Sequence, residues 1–125
     1  MNITRFHHVS VNTNSTPLEE MVDFYRGVLG LADLRRPEIP GIPGHWHAVG
    51  DSELHLVGAP PNGTPIDSTG HHYCVAVTDL GAAIVELDEQ GIEYQRGVQG
   101  TGTVQIWIID PAGNTIELQQ DPAFA

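Results

Sequence analysis

The sequence contains no lysine and a single cysteine, Cys74. One cysteine excludes an internal disulfide and any zinc site that is built from several cysteines. Five arginines face 16 acidic residues, so the formal net charge is −11 at pH 7. Because a field of this sign repels a phosphate backbone, we expect no nucleic-acid partner. A neutral or cationic small molecule, or a metal ion, suits the charge better.

Long apolar runs are also missing. No run approaches the roughly 18 residues that a membrane span needs, and the first residues lack the apolar stretch and cleavage site of a signal peptide. We therefore predict a cytoplasmic protein without a membrane partner. The 125 residues, 40% of them hydrophobic, fit one domain with a compact core.

The chain repeats itself on either side of a stretch rich in proline and glycine near residue 65. The first half opens with the sequence HHVSV at residues 7–11, and the second with HHYCV at residues 71–75. Each run alternates in polarity and predicts a strand. The predicted single domain, residues 1–125, thus contains module one (about 4–58), a linker (about 59–70) and module two (about 71–120).

A helix signal follows each of these two strands. In module one, Thr16 is a candidate N-cap, with proline at the first helical position and glutamate three residues after the cap. Apolar residues then keep helical spacing as far as Gly30. We expect four of them in the core: Met21, Phe24, Tyr25 and Leu29. In module two, Asp79 is the predicted cap, and Gly91 ends the helix.

Short strand-like segments follow each helix. They cover residues 31–34, 46–49 and 53–57 in module one, and residues 93–96, 103–109 and 115–119 in module two. Residues 110–114, with the sequence DPAGN, predict a turn between the last two strands. The sequence therefore predicts an α+β fold made of two βαβββ modules.

Four potential metal ligands occupy equivalent places in the two modules. His8 lies in the first strand of module one and His55 in its last strand; His72 and Glu117 hold the same places in module two. If the modules curl around a shared cleft, the four side chains converge. Imidazole and carboxylate suit Zn²⁺, Fe²⁺, Mn²⁺, Ni²⁺ or Co²⁺. Since an unpaired carboxylate is costly to bury, a metal would also explain Glu117 in its apolar strand.

The sequence resembles the vicinal oxygen chelate superfamily, which includes glyoxalase I, methylmalonyl-CoA epimerase, fosfomycin-resistance enzymes, type I extradiol dioxygenases and bleomycin-binding proteins. The matching stretches are HVSV at residues 8–11, FYRGVLGL at 24–31, residues 72–80, and DPAGNTIEL at 110–118. The resemblance implies an open, U-shaped mixed sheet around a cleft that holds a divalent metal.

By position, His8, His72 and Glu117 match the three commonest ligands of that superfamily. His55 stands where glyoxalase I and the epimerase place a fourth ligand, usually a glutamate. It remains open here whether His55 binds the metal, acts as a base or only lines the pocket. The superfamily often assembles its cleft across a dimer, so the resemblance predicts a homodimer, with the site either within one chain or shared by two.

Three further residues are candidates for the substrate pocket. Trp107 resembles residues that line the pocket in the superfamily, although core filling would also explain it. His47 can reach the cleft or face solvent. Cys74 shares a strand face with His72, although a small buried side chain is the simpler interpretation. His7 precedes a proposed ligand, so strand alternation predicts that it points to the opposite face.

The leading hypothesis is a metal-dependent, glyoxalase-like lyase or isomerase that acts on a small oxygenated metabolite, with Glu117 or His55 as the base. One alternative is an extradiol-type dioxygenase in which His8, His72 and Glu117 hold Fe²⁺; a fourth ligand would occupy one of the positions that it needs. The other is a small-molecule-binding resistance protein of the bleomycin type, although such binders generally lack the metal ligands.

Overall fold

The computed structural model describes residues 1–125. Module one contains β1 (Ile3–Asn12), α1 (Leu18–Asp23), a π-helical segment (Phe24–Val28), β2 (Asp33–Leu34), β3 (Gly44–Val49) and β4 (Ser52–Val57). Module two contains β5 (His72–Val77), α2 (Leu80–Glu89), β6 (Gln95–Val98), β7 (Val104–Ile109) and β8 (Thr115–Gln120), and a 3₁₀ turn (Pro122–Phe124) follows it. The predicted α+β class, with strand, helix and three strands occurring twice, is confirmed.

All eight strands belong to one mixed sheet, in the order β2-β3-β4-β1-β5-β8-β7-β6. The first strand of each module pairs in parallel with the last strand of the same module, and β1 and β5 pair antiparallel at the junction. The register repeats as well, because Ser10 lies opposite His55 in module one and Cys74 lies opposite Glu117 in module two. This repetition places the predicted ligands on the central strands.

Helix α2 packs on the sheet as its sequence predicts. Asp79 caps it, with its side chain accepting a hydrogen bond from the Ala82 amide at 2.9 Å. Three apolar side chains of the helix meet the apolar face of β5, β7 and β8. The resulting core consists of Val75, Val77, Leu80, Ala83, Leu87, Ile106 and Leu118.

Helix α1 begins differently from the prediction. Its N-cap position is Pro17 rather than Thr16, and no side chain hydrogen-bonds to the free amides of its first turn. After six residues the helix widens into the π-helical segment.

The core predicted along this first helix is wrong for Phe24 and Leu29, which are 49% and 52% exposed. A π-helical turn contains more residues than an α-helical turn, so it rotates the following apolar side chains away from the sheet. Val22, before this segment, is buried, and Val28, within it, is 70% exposed.

Strand boundaries shift by one or two residues from those that the sequence predicts. β2 is reduced to Asp33–Leu34, β3 starts at Gly44, and β6 covers Gln95–Val98. Such shifts are usual at strand ends and leave the strand order unaffected. Neither helix has the length and apolar character needed to cross a bilayer.

Candidate metal and substrate site

Three of the four predicted ligands meet at the centre of the sheet. His8 lies on β1, His72 on β5 and Glu117 on β8, and all three side chains are buried. Their ligand atoms all lie within 4.8 Å of one another. Glu117 Oε1 lies 2.9 Å from His72 Nε2 and 3.2 Å from His8 Nε2. The junction of the two modules therefore contains a buried set of two imidazoles and one carboxylate.

Glu117 is only 1% exposed, and both of its oxygens have partners. Its Oε2 accepts hydrogen bonds from Gln105 Nε2 at 3.2 Å and Gln119 Nε2 at 2.6 Å. Burial acts to raise the pKa of Glu117, but hydrogen bonds from His72 and His8 outweigh it and hold the pKa well below its usual value. The carboxylate is therefore negatively charged at neutral pH.

These residues fit a divalent metal. The hydrogen-bond donors around the Glu117 carboxylate are two histidines and two glutamines, and no arginine is among them. A buried carboxylate without a fixed positive partner is costly, and a cation would remove that cost. Two imidazoles and a carboxylate suit first-row divalent metals.

His55, the fourth predicted ligand, lies beside this set but is directed away from it. Its Nε2 lies 2.7 Å from Glu53 Oε1. The ring is stacked between His8 and Trp46, with centroid distances of 3.8 Å and 4.0 Å. Burial lowers the pKa of His55 to about 4, although the Glu53 hydrogen bond acts in the opposite direction. At neutral pH the ring is therefore uncharged and held in a fixed orientation.

A cavity of about 110 Å³ opens above the ligand set and is lined by residues of both modules, among them His8, His55, His72 and Glu117. Trp107 forms part of its wall and lies opposite Glu117 across β7 and β8. The indole packs over Gly97, where a Cβ would come within 2.8 Å of the ring. Its Nε1 is buried and has no hydrogen-bond partner.

Comparison with known proteins identifies the family. The model of the Glyoxalase/Bleomycin resistance protein/Dioxygenase superfamily matches residues 5–118. The chain belongs to this superfamily.

Two curated relatives are glyoxylase I 4 of Arabidopsis thaliana and the mitochondrial methylmalonyl-CoA epimerase of Homo sapiens. The first is 33% identical over 94% of this chain and 71% of its own length; the second is 25% identical over 95% and 75%. Methylmalonyl-CoA epimerase from Mycobacterium tuberculosis superimposes with a TM-score of 0.76 at 20% identity, covering 97% of this chain and 91% of its own. This likeness supports the same fold.

Arg36 is a residue of this glyoxalase-superfamily cleft that the sequence analysis missed. It lies in the loop between β2 and β3 and lines the cavity. Its Nη2 donates to the Ile42 carbonyl at 2.6 Å, whereas its buried Nε has no partner. A loop residue carries no periodic signal, so the sequence gives no sign that Arg36 reaches the cleft.

Cys74 lies beside the ligand set rather than in the wall of the cavity. It is fully buried, pairs with Glu117 across β5 and β8, and is not among the cavity-lining residues. Burial, followed by the negative charge of Glu117, raises the pKa of the Cys74 thiol well above its usual value. It therefore stays a neutral thiol, and the structure does not bring it into the wall of this cavity.

His7 departs from strict strand alternation. The pairing of β1 with β5 shifts register between Phe6 and His8. Because of this irregularity, His7 Nδ1 lies 2.8 Å from His8 Nδ1 instead of pointing to the opposite face. A β-bulge of this kind re-aims a side chain without a clear sequence signal.

The structure does not bring His47 into the wall of this cavity. Trp46 pairs with His55 and shares its face of the sheet, so the next residue along β3 points the other way. His47 is fully buried on that opposite face, next to Tyr25 of the π-helical segment and Asp33 of β2.

Proposed function

We propose that the chain is a divalent-metal-dependent, glyoxalase-like lyase or isomerase that acts on a small oxygenated metabolite. The observation that carries this proposal is the buried cluster of His8, His72 and Glu117 at the base of a small cavity. The similarity to glyoxylase I 4 of Arabidopsis thaliana and to methylmalonyl-CoA epimerases supports it.

His8, His72 and Glu117 are the proposed ligands, and their chemistry suits Zn²⁺, Fe²⁺, Mn²⁺, Ni²⁺ or Co²⁺. A cation held by these residues would supply Lewis acidity, which would make a proton on the carbon next to a substrate carbonyl easier to remove. Gln105 and Gln119 hold the second oxygen of Glu117 and so orient the carboxylate, as outer hydrogen-bond partners commonly do at metal sites.

His55 is the proposed proton acceptor, rather than a fourth ligand. In the neutral ring, an Nε2–H group that donates to Glu53 leaves the lone pair on Nδ1 free to take a proton. Stacking against His8 and Trp46 fixes the plane of the ring. Glu117 is less suited to act as the base, because both of its oxygens already accept hydrogen bonds.

The cavity supports a small substrate. Its volume of about 110 Å³ is below the roughly 300–1,000 Å³ of pockets that enclose a drug-sized ligand. Only a small molecule, or the reacting end of a larger one, fits within it. Arg36 and Trp107 both line the cavity, and the positive charge of Arg36 favours a substrate with carbonyl or carboxylate oxygens.

An extradiol-type dioxygenase is the second candidate, favoured by the same ligand set. Two histidines and one carboxylate are the ligands of many Fe²⁺ oxygenases. Because His55 Nε2 is directed toward Glu53, His55 does not occupy the position on the metal that such an enzyme needs for catechol or oxygen. A bleomycin-type binder receives less support, because the cavity is small for a drug.

We also propose that the chain acts as one domain and assembles as a homodimer. The exposed apolar side chains of the first helix, Phe24, Val28 and Leu29, support an interface there. The cytoplasmic location stays a prediction. The site lies either within one chain or between the two chains of the dimer.

The test of the function combines metal analysis with proton exchange. Metal-loaded protein in D₂O is given a panel of small carbonyl compounds and methylmalonyl-CoA, and NMR follows deuterium uptake at the carbon next to the carbonyl. We expect exchange by the wild-type protein and a loss of about 100-fold or more in His55→Asn with its metal content unchanged. Glu117→Gln should lose the metal ion that His8, His72 and Glu117 hold.

His71→Asn is the matched control, since His71 is an exposed histidine that lies immediately before β5 and next to His72. Loss of metal in His55→Asn would make His55 a ligand and contradict its role as the base. Absence of exchange on the whole panel, together with catechol-dependent oxygen uptake by Fe²⁺-loaded protein, would replace the proposal by the dioxygenase.

A further inference from the structure

A second group of potential ligands lies on the opposite face of module one, away from the cleft. It consists of Asp33 on β2 and His45 and His47 on β3. The two histidines are separated by one residue and therefore share a strand face. Asp33 pairs directly with His47 across the two strands. The ligand atoms of these three residues all lie within 4.8 Å of one another.

The two oxygens of Asp33 have different surroundings. Oδ1 lies 2.9 Å from His45 Nε2 and 3.5 Å from His47 Nδ1. Oδ2 lies 2.8 Å from Arg26 Nη2, and Arg26 Nε donates to both oxygens at 3.2 Å. Only Oδ1 is directed at the histidines, and the shortest Arg26 contact is to Oδ2, so an ion at Oδ1 would replace the longer Nε contact and leave the Nη2 contact in place. Arg26 is placed as an outer partner that orients the carboxylate.

His47 provides independent evidence for a ligand at this place. It is fully buried, and neither of its ring nitrogens forms a well-aligned hydrogen bond, although the backbone of Ala32 and the Asp33 carboxylate lie beside the ring. Buried polar atoms are nearly always satisfied, so each exception needs an explanation. A cation held against Nδ1 would satisfy one of the two ring nitrogens.

The distances are also close to those of a metal site. Ligands that bind Zn²⁺ tetrahedrally at about 2.05 Å are separated from one another by about 3.3 Å. The two measured separations from Oδ1, 2.9 Å and 3.5 Å, lie on either side of that value. The Asp33 and His45 side chains are 45% and 25% exposed, which leaves a path for the ion and room for water ligands.

We propose that Asp33, His45 and His47 form a second divalent-metal site, selective for ions that favour imidazole, such as Zn²⁺, Co²⁺ or Ni²⁺. It has no access to the cleft, because its histidines point to the face opposite Trp46 and His55. Its role is structural: β2 is only two residues long, and an ion shared by β2 and β3 fixes this short edge strand to the sheet.

The test is the metal stoichiometry of chelator-treated protein that carries no affinity tag, measured by equilibrium dialysis against Zn²⁺ and elemental analysis. We expect wild-type protein to bind one more ion per chain than His45→Ala. His45 is partly exposed, so this variant is expected to keep its fold, which circular dichroism checks. His71→Asn, the matched control, should bind as much Zn²⁺ as the wild-type protein.

Glu117→Gln separates this site from the one in the cleft. It should retain the ion at Asp33, His45 and His47, and Glu117→Gln with His45→Ala should bind none. In Glu117→Gln, Zn²⁺ should shift the imidazole ¹⁵N resonances of His45 and His47. Equal Zn²⁺ binding by His45→Ala and wild-type protein, or unshifted resonances, would overturn the proposal. If only the cleft site fails to bind metal, wild-type protein should still bind one more Zn²⁺ ion per chain than His45→Ala.

Discussion

The two modules share their order of elements but differ in how their helices pack. Helix α2 has ten residues, a side-chain cap at Asp79 and a core of seven buried residues around it. Helix α1 has six residues, no side-chain cap and a π-helical continuation with exposed apolar side chains. The strand framework can therefore be repeated without repeating the helix packing. Because the candidate ligands lie on strands, the site depends on the part that is repeated.

The sheet preserves the repeat down to single residues, yet equivalent side chains do different things. Trp46 lies opposite His55 in module one, and Trp107 lies opposite Glu117 in module two. Trp46 stacks on His55, which turns toward Glu53. Trp107 instead lies over Gly97, and Glu117 contacts His8 and His72. Equivalent positions thus give one proposed base and one proposed ligand.

The largest expected difference between the modules is in stability. Leu87→Ala, in the core beneath module two, removes a side chain that is 4% exposed and should lower the free energy of unfolding by about 3 kcal/mol. Leu29→Ala removes the same atoms from a position that is 52% exposed in the single chain, so at protein concentrations low enough to keep the chain monomeric we expect a loss below about 0.5 kcal/mol. Urea unfolding at fixed protein concentration measures both.

The same pair of variants also tests the proposed homodimer. Because the proposed dimer covers Leu29, the loss of unfolding free energy in Leu29→Ala should grow as the protein concentration rises, while that in Leu87→Ala stays large throughout. Sedimentation of the wild-type protein over a range of concentrations should show a dimer that Leu29→Ala weakens. A loss in Leu29→Ala that stays small at every concentration would contradict an interface at this residue.

Most of the sheet could be predicted from the sequence, because alternation along a strand is a local signal. The helix of module two was equally clear, since Asp79 and Gly91 mark its two ends and the structure places α2 at Leu80–Glu89. The first helix could not be predicted as well. Its regular apolar spacing predicts one continuous buried face, and nothing in that spacing marks the π-helical segment. What changes the exposed face is the π-helical segment, which depends on how the helix meets the sheet.

The site shows the same limit. The repeat predicts His8, His72 and Glu117, and the structure brings these three together. His47 was misplaced because Gly44, which begins β3, looked like part of a loop, so the face of the strand was ambiguous. Arg36 was missed because its place in the cavity depends on how its own loop folds back, with the guanidinium held by the Ile42 carbonyl. Strand register is local information, whereas loop closure is not.

The second prediction concerns the linker, which has no counterpart in the repeat. The Asp67 carboxylate accepts hydrogen bonds from the backbone amides of Asn62, Gly63, Thr69 and Gly70 at 2.9–3.3 Å. Hydrogen bonds to a charged group stabilise more than neutral ones, so Asp67→Ala should lower the free energy of unfolding by about 2 kcal/mol at pH 7. Urea unfolding is the measurement, with Asp51→Ala, at an exposed loop position, as the control.

The pH dependence of this effect has a definite sign. Burial acts to raise the pKa of Asp67, but the four backbone amides outweigh it and hold the pKa below the 3.8 of the unfolded chain. The stabilisation is therefore fully present above pH 3.8 and is lost as the pH falls through the folded-state pKa. The difference between wild type and Asp67→Ala should be constant from pH 7 to 5 and shrink toward pH 3. A difference that grows on acidification would contradict this account.

The smallest expected effect compares the starts of the two helices. Asp79 accepts a hydrogen bond from the Ala82 amide, so Asp79→Ala should cost about 1 kcal/mol of unfolding free energy. Thr16 was the predicted cap of the first helix, but no side chain caps α1, so Thr16→Ala should change stability by less than about 0.3 kcal/mol. Thermal unfolding of the two variants beside wild type measures both. Equal losses would mean that Thr16 does cap the first helix in solution, and the two modules would then differ less than their helix packing indicates.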